Sequence, residues 1–496
     1  MLSGIKIKNL SDFIIDMSNS LNTKIVTATK WSSITEITAK LIAPISTMIL
    51  ARILTPDAFG ILVTAQMIIS FAEIFTDAGF QKYLVQHNFC SEEEKDQSTN
   101  VAFWSNFIMS MAIWVGIIFL SSPIADLVGC PGYGLVISVS SMCIPLAAFS
   151  SIQMALLKRD FDFKTLFFVR IIGICIPLLL TVPLAWMTCS YWSLIIGMIA
   201  LNLSNAILLT VRSKWKPRLY YSFSRFKEMF SFTMWSMIEA VSIWLTSYVD
   251  IFIVGTLLSQ HYLGIYRTSM STVGQITGII TAATTPVLFS SLSRLQNDDD
   301  EFWKMFFKFQ KLVSMLVFPL GVGIFLFSDL ITSILLGSQW QEASFFIGFW
   351  GLTSAITIVL SHYSSEVYRA KGKPKLSVLS QFLHIIVLWP TVLIAVNYGF
   401  GVLCEARSLV RLEGILVNLI IMYFLRMPIL KIFTNIIPPA LASLCMCMIL
   451  FFQKPDELYS SILYIVIAMF IYLSSLLLFP KERSVLLHLN EVIKKR

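Results

Sequence analysis

The chemistry open to this sequence is concentrated in a few polar side chains set inside long apolar runs. Glu36 and Lys40 stand i, i+4 apart with the acid first, an order that favours an ion pair on one helical face, with Pro44 nearby. Gln66, Ser70, Glu73 and Asp77 make one stripe at helical spacing, and Glu239, Ser242, Thr246 and Asp250 make a second. Arg267, Ser271, Gly274 and Gln275 make a third, while Glu405, Arg407, Arg411 and Glu413 crowd another run without sharing one face, which leaves open whether they line a cavity. Such groups neutralise charge on a ligand or carry a proton or a cation. Bond-making apparatus is not in view: there is no P-loop and no GxSxG, and the histidines at 87, 261, 362, 384 and 488 lack metal spacing. The eight cysteines form no CxxC pair and read as small core residues.

Each of these residues also has a plain reading. Asp77 lies near the end of its run and can simply cap or pair there. Arg267, about one turn inside a boundary, either faces a cavity or snorkels to the interface. Arg170, beside the basic stretch KRDFDFK, is either an anchor or a contact for an anionic headgroup. Arg52, before the Thr55-Pro56-Asp57 break, either guides an anion or snorkels.

The elements that must position these groups follow from composition. Of 496 residues, 56% are apolar and 13% charged, and the mean hydropathy is +0.76. Runs of about 18 or more apolar residues recur along the chain, each long enough to cross a hydrocarbon core as a helix. The expected class is an all-α integral membrane protein of about fourteen helices, because the short alternating segments of a β-barrel are missing. The N-terminal stretch is polar and amphipathic with no continuous apolar core, so no cleavable leader is expected. Lys and Arg cluster in alternate inter-helix segments, among them KRDFDFK, RSKWKPRLYYSFSRFK and RAKGKPK, and only Lys454 falls on the other side. The positive-inside rule then places both termini in the cytoplasm and makes the helix number even. The net charge of +8 is topological, and nucleic acid is not needed to explain it.

The sequence also repeats. ILTPDAFGILVT aligns with LLSQHYLGIYRT at an offset of 204, matching Leu54 with Leu258, Gly60 with Gly264, Ile61 with Ile265 and Thr64 with Thr268. Repeats in the same orientation are related by an axis along the membrane normal. Two pseudo-symmetric six-helix lobes are expected, an N-terminal lobe at 1–211 and a C-terminal lobe at 229–426. A basic cytoplasmic linker at 212–228 joins them, and two further helices with a tail occupy 427–496.

Several segments resemble the Wzx-type polysaccharide flippases, within the superfamily that includes the MATE exporters and MurJ, and most closely the colanic acid exporter branch. They are ATKWSSI (28–34), LARILTPDAFGILVTAQMIISFAEIFTDAGFQKYLVQ (50–86), ALLKRDFDFKTL (155–166), YVDIFIVGTLLSQHYLGIYRTS (248–269), LLGSQWQEA (335–343) and YRAKGKPKL (368–376). The resemblance implies translocation of an undecaprenyl-diphosphate-linked oligosaccharide from the cytoplasmic to the periplasmic leaflet of a bacterial inner membrane, by alternating access, for O-antigen, capsule or exopolysaccharide. It implies membrane lipids, a polysaccharide polymerase and a chain-length regulator as partners, no cofactor, and energy from H+, Na+ or the membrane potential. A polar cleft between the lobes would shield the headgroup while the lipid tail stays in the bilayer. Lys40, Arg52, Arg267 and Arg170 are then candidate diphosphate contacts, and Glu36, Glu73, Asp77, Glu239 and Asp250 candidates for coupling or for positioning those bases. The alternatives are a MATE-like exporter of organic cations, whose cleft should be acidic without bases, and a membrane-embedded polymerase or acyltransferase. The short outer loops argue against the last.

Overall fold

The computed structural model describes residues 27, 30–32, 34–36, 38–77, 79–373, 375–451, 458–480 and 482–484. The side chains of 77, 231–233, 235, 236, 239, 450, 451, 458 and 459 lie outside that set, so the sequence expectations for Asp77 and Glu239 fall outside the described residues. Among the described residues, thirteen helices are long and apolar enough to cross a membrane.

Eight helices hold the charged groups and the repeated turns: α1 (Lys30–Ile53), α2 (Pro56–Asp77), α3 (Phe223–Leu257), α4 (Gln260–Arg294), α5 (Asp299–Leu326), α6 (Ser344–Thr357), α7 (Phe400–Val410) and α8 (Glu413–Phe424). The run at 401–425, read from its apolar content as one of the fourteen spanning helices, is where the structure departs from the sequence reading. It is two pieces, α7 and α8, separated at Arg411 and Leu412, and each is only about 17 Å long at 1.5 Å per residue. Charges at 405, 407, 411 and 413 and Gly414 crowd this stretch, and hydropathy alone does not register the break.

Helix starts follow local capping. Ser91 accepts from the Glu94 amide at 3.1 Å while the Glu94 carboxylate accepts from the Cys90 amide at 2.7 Å, a reciprocal box that opens Glu92–Phe119. Asp162 caps Phe163–Ile176 through the Thr165 amide, Asp298 caps α5 through the Glu301 amide, and Pro56 is the first residue of α2.

Contacts divide the chain into two compact units, Met1–Ser46 with Thr64–Leu245, and Thr47–Val63 with Thr246–Arg496. The first is built around Phe80, Leu84, Phe103, Ile152 and Met229. Its basic segments are held by backbone and acids: Arg159 donates to the carbonyls of Leu84 (2.7 Å) and His87 (2.8 Å), Arg218 lies 3.6 Å from Asp96, and Arg225 lies 3.8 Å from Glu94. The Trp104 indole donates to the Arg218 carbonyl at 2.8 Å, and α3 already begins at Phe223, inside the stretch expected as linker. Tyr83, buried in this core beside Glu228, has its phenol pushed up to about 12, chiefly by burial.

The second unit has two apolar clusters, one around Leu292, Phe302, Val313, Val359 and Tyr368 and one around Met315, Val322, Ala442, Met446 and Tyr472. It also holds the Thr55-Pro56-Asp57 turn, whose sequence echo proves to be a physical contact. A Cβ at Gly60 would stand 2.0 Å from the Gln260 carbonyl oxygen, and one at Gly264 would stand 1.9 Å from that of Pro56. Positions 56 and 260, like 60 and 264, differ by 204, so the contact is reciprocal. That is the signature of a local two-fold axis between the repeated turns. The turn is further tied down by Trp340, which is fully buried, donates to the Ala51 carbonyl at 2.7 Å and meets Phe59 edge-on at 5.1 Å.

Candidate functional site

The sequence singled out ionisable groups in the apolar runs, and the structure sorts them. Glu36 is exposed and Lys40 half-buried, and among the described residues they form no ion pair, against the expectation from their spacing. A pair at i, i+4 is worth only about 0.2–0.5 kcal/mol on a helix surface, too little to hold two flexible side chains together by itself. Arg52 is exposed, and its Nη2 donates to the Ile334 carbonyl at 2.7 Å, near the C-terminal end of the helix Ser328–Leu335, where a cation is favoured. Arg170 is exposed on Phe163–Ile176. Arg267 is half-buried with its guanidinium 5.8 Å from the Tyr248 ring centre. Glu73 is half-buried; beside it on α2, the Ser70 hydroxyl accepts from the Trp244 indole at 3.0 Å.

Asp250 is the residue around which charge gathers. It is 1% exposed near the end of α3, and its Oδ2 accepts from Arg407 Nε on α7 at 2.7 Å and from the Tyr266 hydroxyl on α4 at 2.9 Å. A carboxylate in an apolar interior is stable only when paired and hydrogen-bonded in this way. Arg407, 7% exposed, lies with its guanidinium carbon 5.1 Å from the centre of the Trp350 ring, and its Nη1 is buried without a hydrogen-bond partner among the described residues. One turn on, Arg411 stacks on the same indole at 4.0 Å and donates from Nη1 to the Ser354 hydroxyl at 2.7 Å. Glu413 does not pair with Arg411; its Oε2 lies 3.2 Å from His384 Nδ1. Glu405 is exposed. Among the described residues no carboxylate pairs with Arg411.

Depth and backbone set this cluster apart from an ordinary buried ion pair. Arg411 is the twelfth residue of the run from Phe400, about 17 Å along it, and so near the middle of a roughly 30 Å apolar layer. There the helix tightens to i→i+3 bonds, from the Leu412 amide to the Leu409 carbonyl and from the Ile415 amide to the Leu412 carbonyl, with helical φ and ψ kept at Arg411 and Leu412. Opposite, α6 gives way to a π-helical turn at Ile358–His362, about two thirds of the way along its span Ser338–Ala370. The backbone groups that these breaks loosen are met by side chains: Gln310 donates to the Val359 carbonyl at 3.2 Å, and Asn418 donates to the Gly414 carbonyl at 2.8 Å and to the Ser361 hydroxyl at 2.7 Å. Tyr368 in turn donates to Asn418 Oδ1 at 2.7 Å, which fixes the amide. Interrupted helices with satisfied backbone and buried charge meet the condition under which irregular backbone is tolerated in a membrane, inside protein or around a cavity. The charge left over in this arrangement is positive, which suits an anion. Among the described residues no three His, Cys, Asp or Glu side chains gather as metal ligands.

Sequence reasoning named Asp250, and it noted Arg407 and Arg411 without assigning them. The signal was present as charge inside an apolar run. What it lacked was the partner of each charge.

Comparison with known proteins gives the family. The succinoglycan biosynthesis transport protein ExoT of Rhizobium meliloti (strain 1021) is 23% identical over 391 residues, covering 79% of this chain and 78% of that one. The lipopolysaccharide biosynthesis protein WzxC of Escherichia coli (strain K12) is 22% identical over 329 residues, 65% of each chain. Among solved structures, the lipid II flippase MurJ in an inward closed conformation superposes with a TM-score of 0.71 at 16% identity, covering 91% of this chain and 98% of that one, which gives the fold. The model of the polysaccharide biosynthesis protein family matches residues 49–345, more than half of the sequence and inclusive of the two repeated turns, Asp250 and Tyr266. The chain belongs to that family.

Proposed function

We propose that this protein is a transporter that flips an undecaprenyl-diphosphate-linked oligosaccharide between the leaflets of the bacterial inner membrane by alternating access, for surface polysaccharide. The observation that carries the reading is Arg411, a cation that has no carboxylate partner among the described residues and lies about midway along the helical run from Phe400 to Phe424. A guanidinium held there is useful to an anionic substrate and adverse to a cationic one. The names of the relatives, a transport protein and a flippase, support transport over catalysis.

In this reading residues 1–211 and 229–426 are the moving lobes, joined by 212–228, and 427–496 adds the last two helices and tail. Both termini are cytoplasmic, as the alternation of basic segments requires. Lys40, Arg267, the outer Arg52 and, at the cytoplasmic side, Arg170 meet the diphosphate along its path. Glu36, Glu73, Asp77, Glu239 and Asp250 position these bases or carry a coupling H+ or Na+, with the membrane potential as the other source of drive. A polymerase and a chain-length regulator take the product.

The test is reconstitution of the full chain in liposomes with a fluorescent undecaprenyl-diphosphate oligosaccharide and measurement of its leaflet distribution. Time-dependent loss of one-sided accessibility, abolished by Lys40→Ala or Arg267→Ala without loss of protein, is expected. Normal surface polysaccharide in cells carrying either variant counts against a cationic path. Efflux of organic cations that depends on Asp77 or Glu239 overturns the reading in favour of an exporter.

A further inference from the structure

The charges around the helix break do not balance pair by pair. Asp250 is consumed by Arg407 and Tyr266, and Glu413 lies against His384. Arg411 is left with a hydroxyl and an aromatic face. It is only partly exposed, so water does not fully solvate it, and the indole at 4.0 Å fixes the plane of its fork. Ser354 takes one Nη1 hydrogen, and no partner is present among the described residues for the remaining donors. A planar fork with one donor held and the others unpaired among the described residues is the geometry that receives two oxygens of one carboxylate or phosphate group. A diphosphate, with two or more charges, asks for more than one free cation, and the neighbouring Arg407 is already neutralised.

On the reading of this protein as a flippase of lipid-linked glycans, we propose that Arg411, stacked on Trp350 and held by Ser354, is a specificity site for one negative charge on the glycan itself, a carboxylate-bearing sugar or acidic substituent. The substrate is then an acidic oligosaccharide, and the diphosphate is handled elsewhere on the path. Arginine suits this role better than lysine because it remains charged when partly buried and presents its donors as a rigid fork.

The experiment compares two lipid-linked oligosaccharides that share the undecaprenyl diphosphate and differ only in a terminal uronate against its carboxyl-reduced, neutral form. Both are flipped by the full chain in liposomes. Wild type is expected to move the acidic lipid at least about ten-fold faster, the scale of one charge-assisted pair. Arg411→Gln should erase that preference while changing the neutral lipid less than about two-fold, and Arg411→Lys should restore part of it. Equal loss on both lipids assigns Arg411 to the shared diphosphate and overturns the proposal; no loss on either overturns it as well. The thermal midpoint of each variant in detergent separates misfolding from recognition, and if Arg411→Gln does not fold, the Lys variant and Ser354→Ala carry the comparison. A wild-type protein that flips neither lipid sinks the flippase reading instead. In that event calorimetric binding of a free uronate-terminated oligosaccharide decides the present one: a preference over the reduced sugar that Arg411→Gln removes upholds it, and no such preference refutes it.

Discussion

Placing alanine at Gly60 and Gly264 should produce an ordering of stabilities that only a reciprocal contact gives. A methyl at either position meets a backbone carbonyl oxygen, at 2.0 Å from Gln260 in one case and 1.9 Å from Pro56 in the other, where ordinary contact is about 3.5 Å. Neither carbonyl can swing away, because each belongs to the first turn of a helix, so the two turns must separate by more than an ångström. That overpacking costs about 3 kcal/mol, the upper part of the usual range, while alanine in place of glycine inside a helix returns about 1 kcal/mol. Each single variant is then expected to lose about 2 kcal/mol. In the double variant the turns separate once and the helical gain is collected twice, so the loss falls to about 1 kcal/mol, against about 4 for simple addition. The double variant should therefore be more stable than either single. Folded fraction in mixed micelles of rising denaturing-detergent content, followed by far-ultraviolet circular dichroism, gives the ordering. Additive losses, or singles indistinguishable from wild type, refute the two-fold contact.

Other consequences come from the same structure. Asp250→Asn strands the Arg407 guanidinium in an apolar interior and should cost about 3–5 kcal/mol, whereas Asp250→Asn with Arg407→Gln should regain most of it; a double variant as poor as the sum of its parts means that the pair at 2.7 Å is not coupled. Trp340→Ala removes a fully buried indole and its bond to the Ala51 carbonyl, with an expected loss of about 3–5 kcal/mol in the same detergent titration. In variants that keep one cysteine each, a membrane-impermeant maleimide applied to spheroplasts should label Cys189, which is exposed in a segment expected outside. Cys90, exposed in a segment expected in the cytoplasm, should react only after permeabilisation. Cys130 should react in neither case, because burial keeps it from the reagent and pushes its thiol up to about 11, far above the assay pH. Labelling of Cys90 from outside inverts the topology.

The spans were legible because a membrane allows so few solutions: among the described residues, thirteen helices come within a few residues of the apolar runs that composition marks out. The repeat was legible too, since Gly60 and Gly264 must both be glycine for the turns to touch, and such constraints leave a trace in the residue types. The charged site was legible only as a set of residues. Arg407 finds Asp250 at a separation of 157 residues and Arg52 finds the Ile334 carbonyl at 282, and no local spacing encodes either partner. Where local spacing did suggest a pair, at Glu36 and Lys40, the energy at stake was too small to enforce it. The breaks at Arg411–Leu412 and Ile358–His362 were hidden for a different reason. A window average sees apolar residues on both sides, while the side chains that make the breaks tolerable, Gln310 and Asn418, come from other parts of the fold or from beyond the break.

Those breaks bear on which kind of substrate the interior suits. A site for organic cations needs a carboxylate left over once all internal pairs are made. Here Asp250, Arg407 and Tyr266 close on one another, and His384 stands against Glu413. The residue that remains without a carboxylate partner among the described residues is Arg411, and the Trp350 face it occupies is thereby closed to a cationic ligand seeking the same aromatic surface. Reversing the polarity would require removing Arg411 and freeing Asp250 together, because either change alone leaves the other charge compensated or stranded. Arg411→Gln with Arg407→Leu should consequently lower affinity for acidic glycans and expose a buried carboxylate at the same mid-membrane depth, the condition under which a weakly cationic dye would begin to bind.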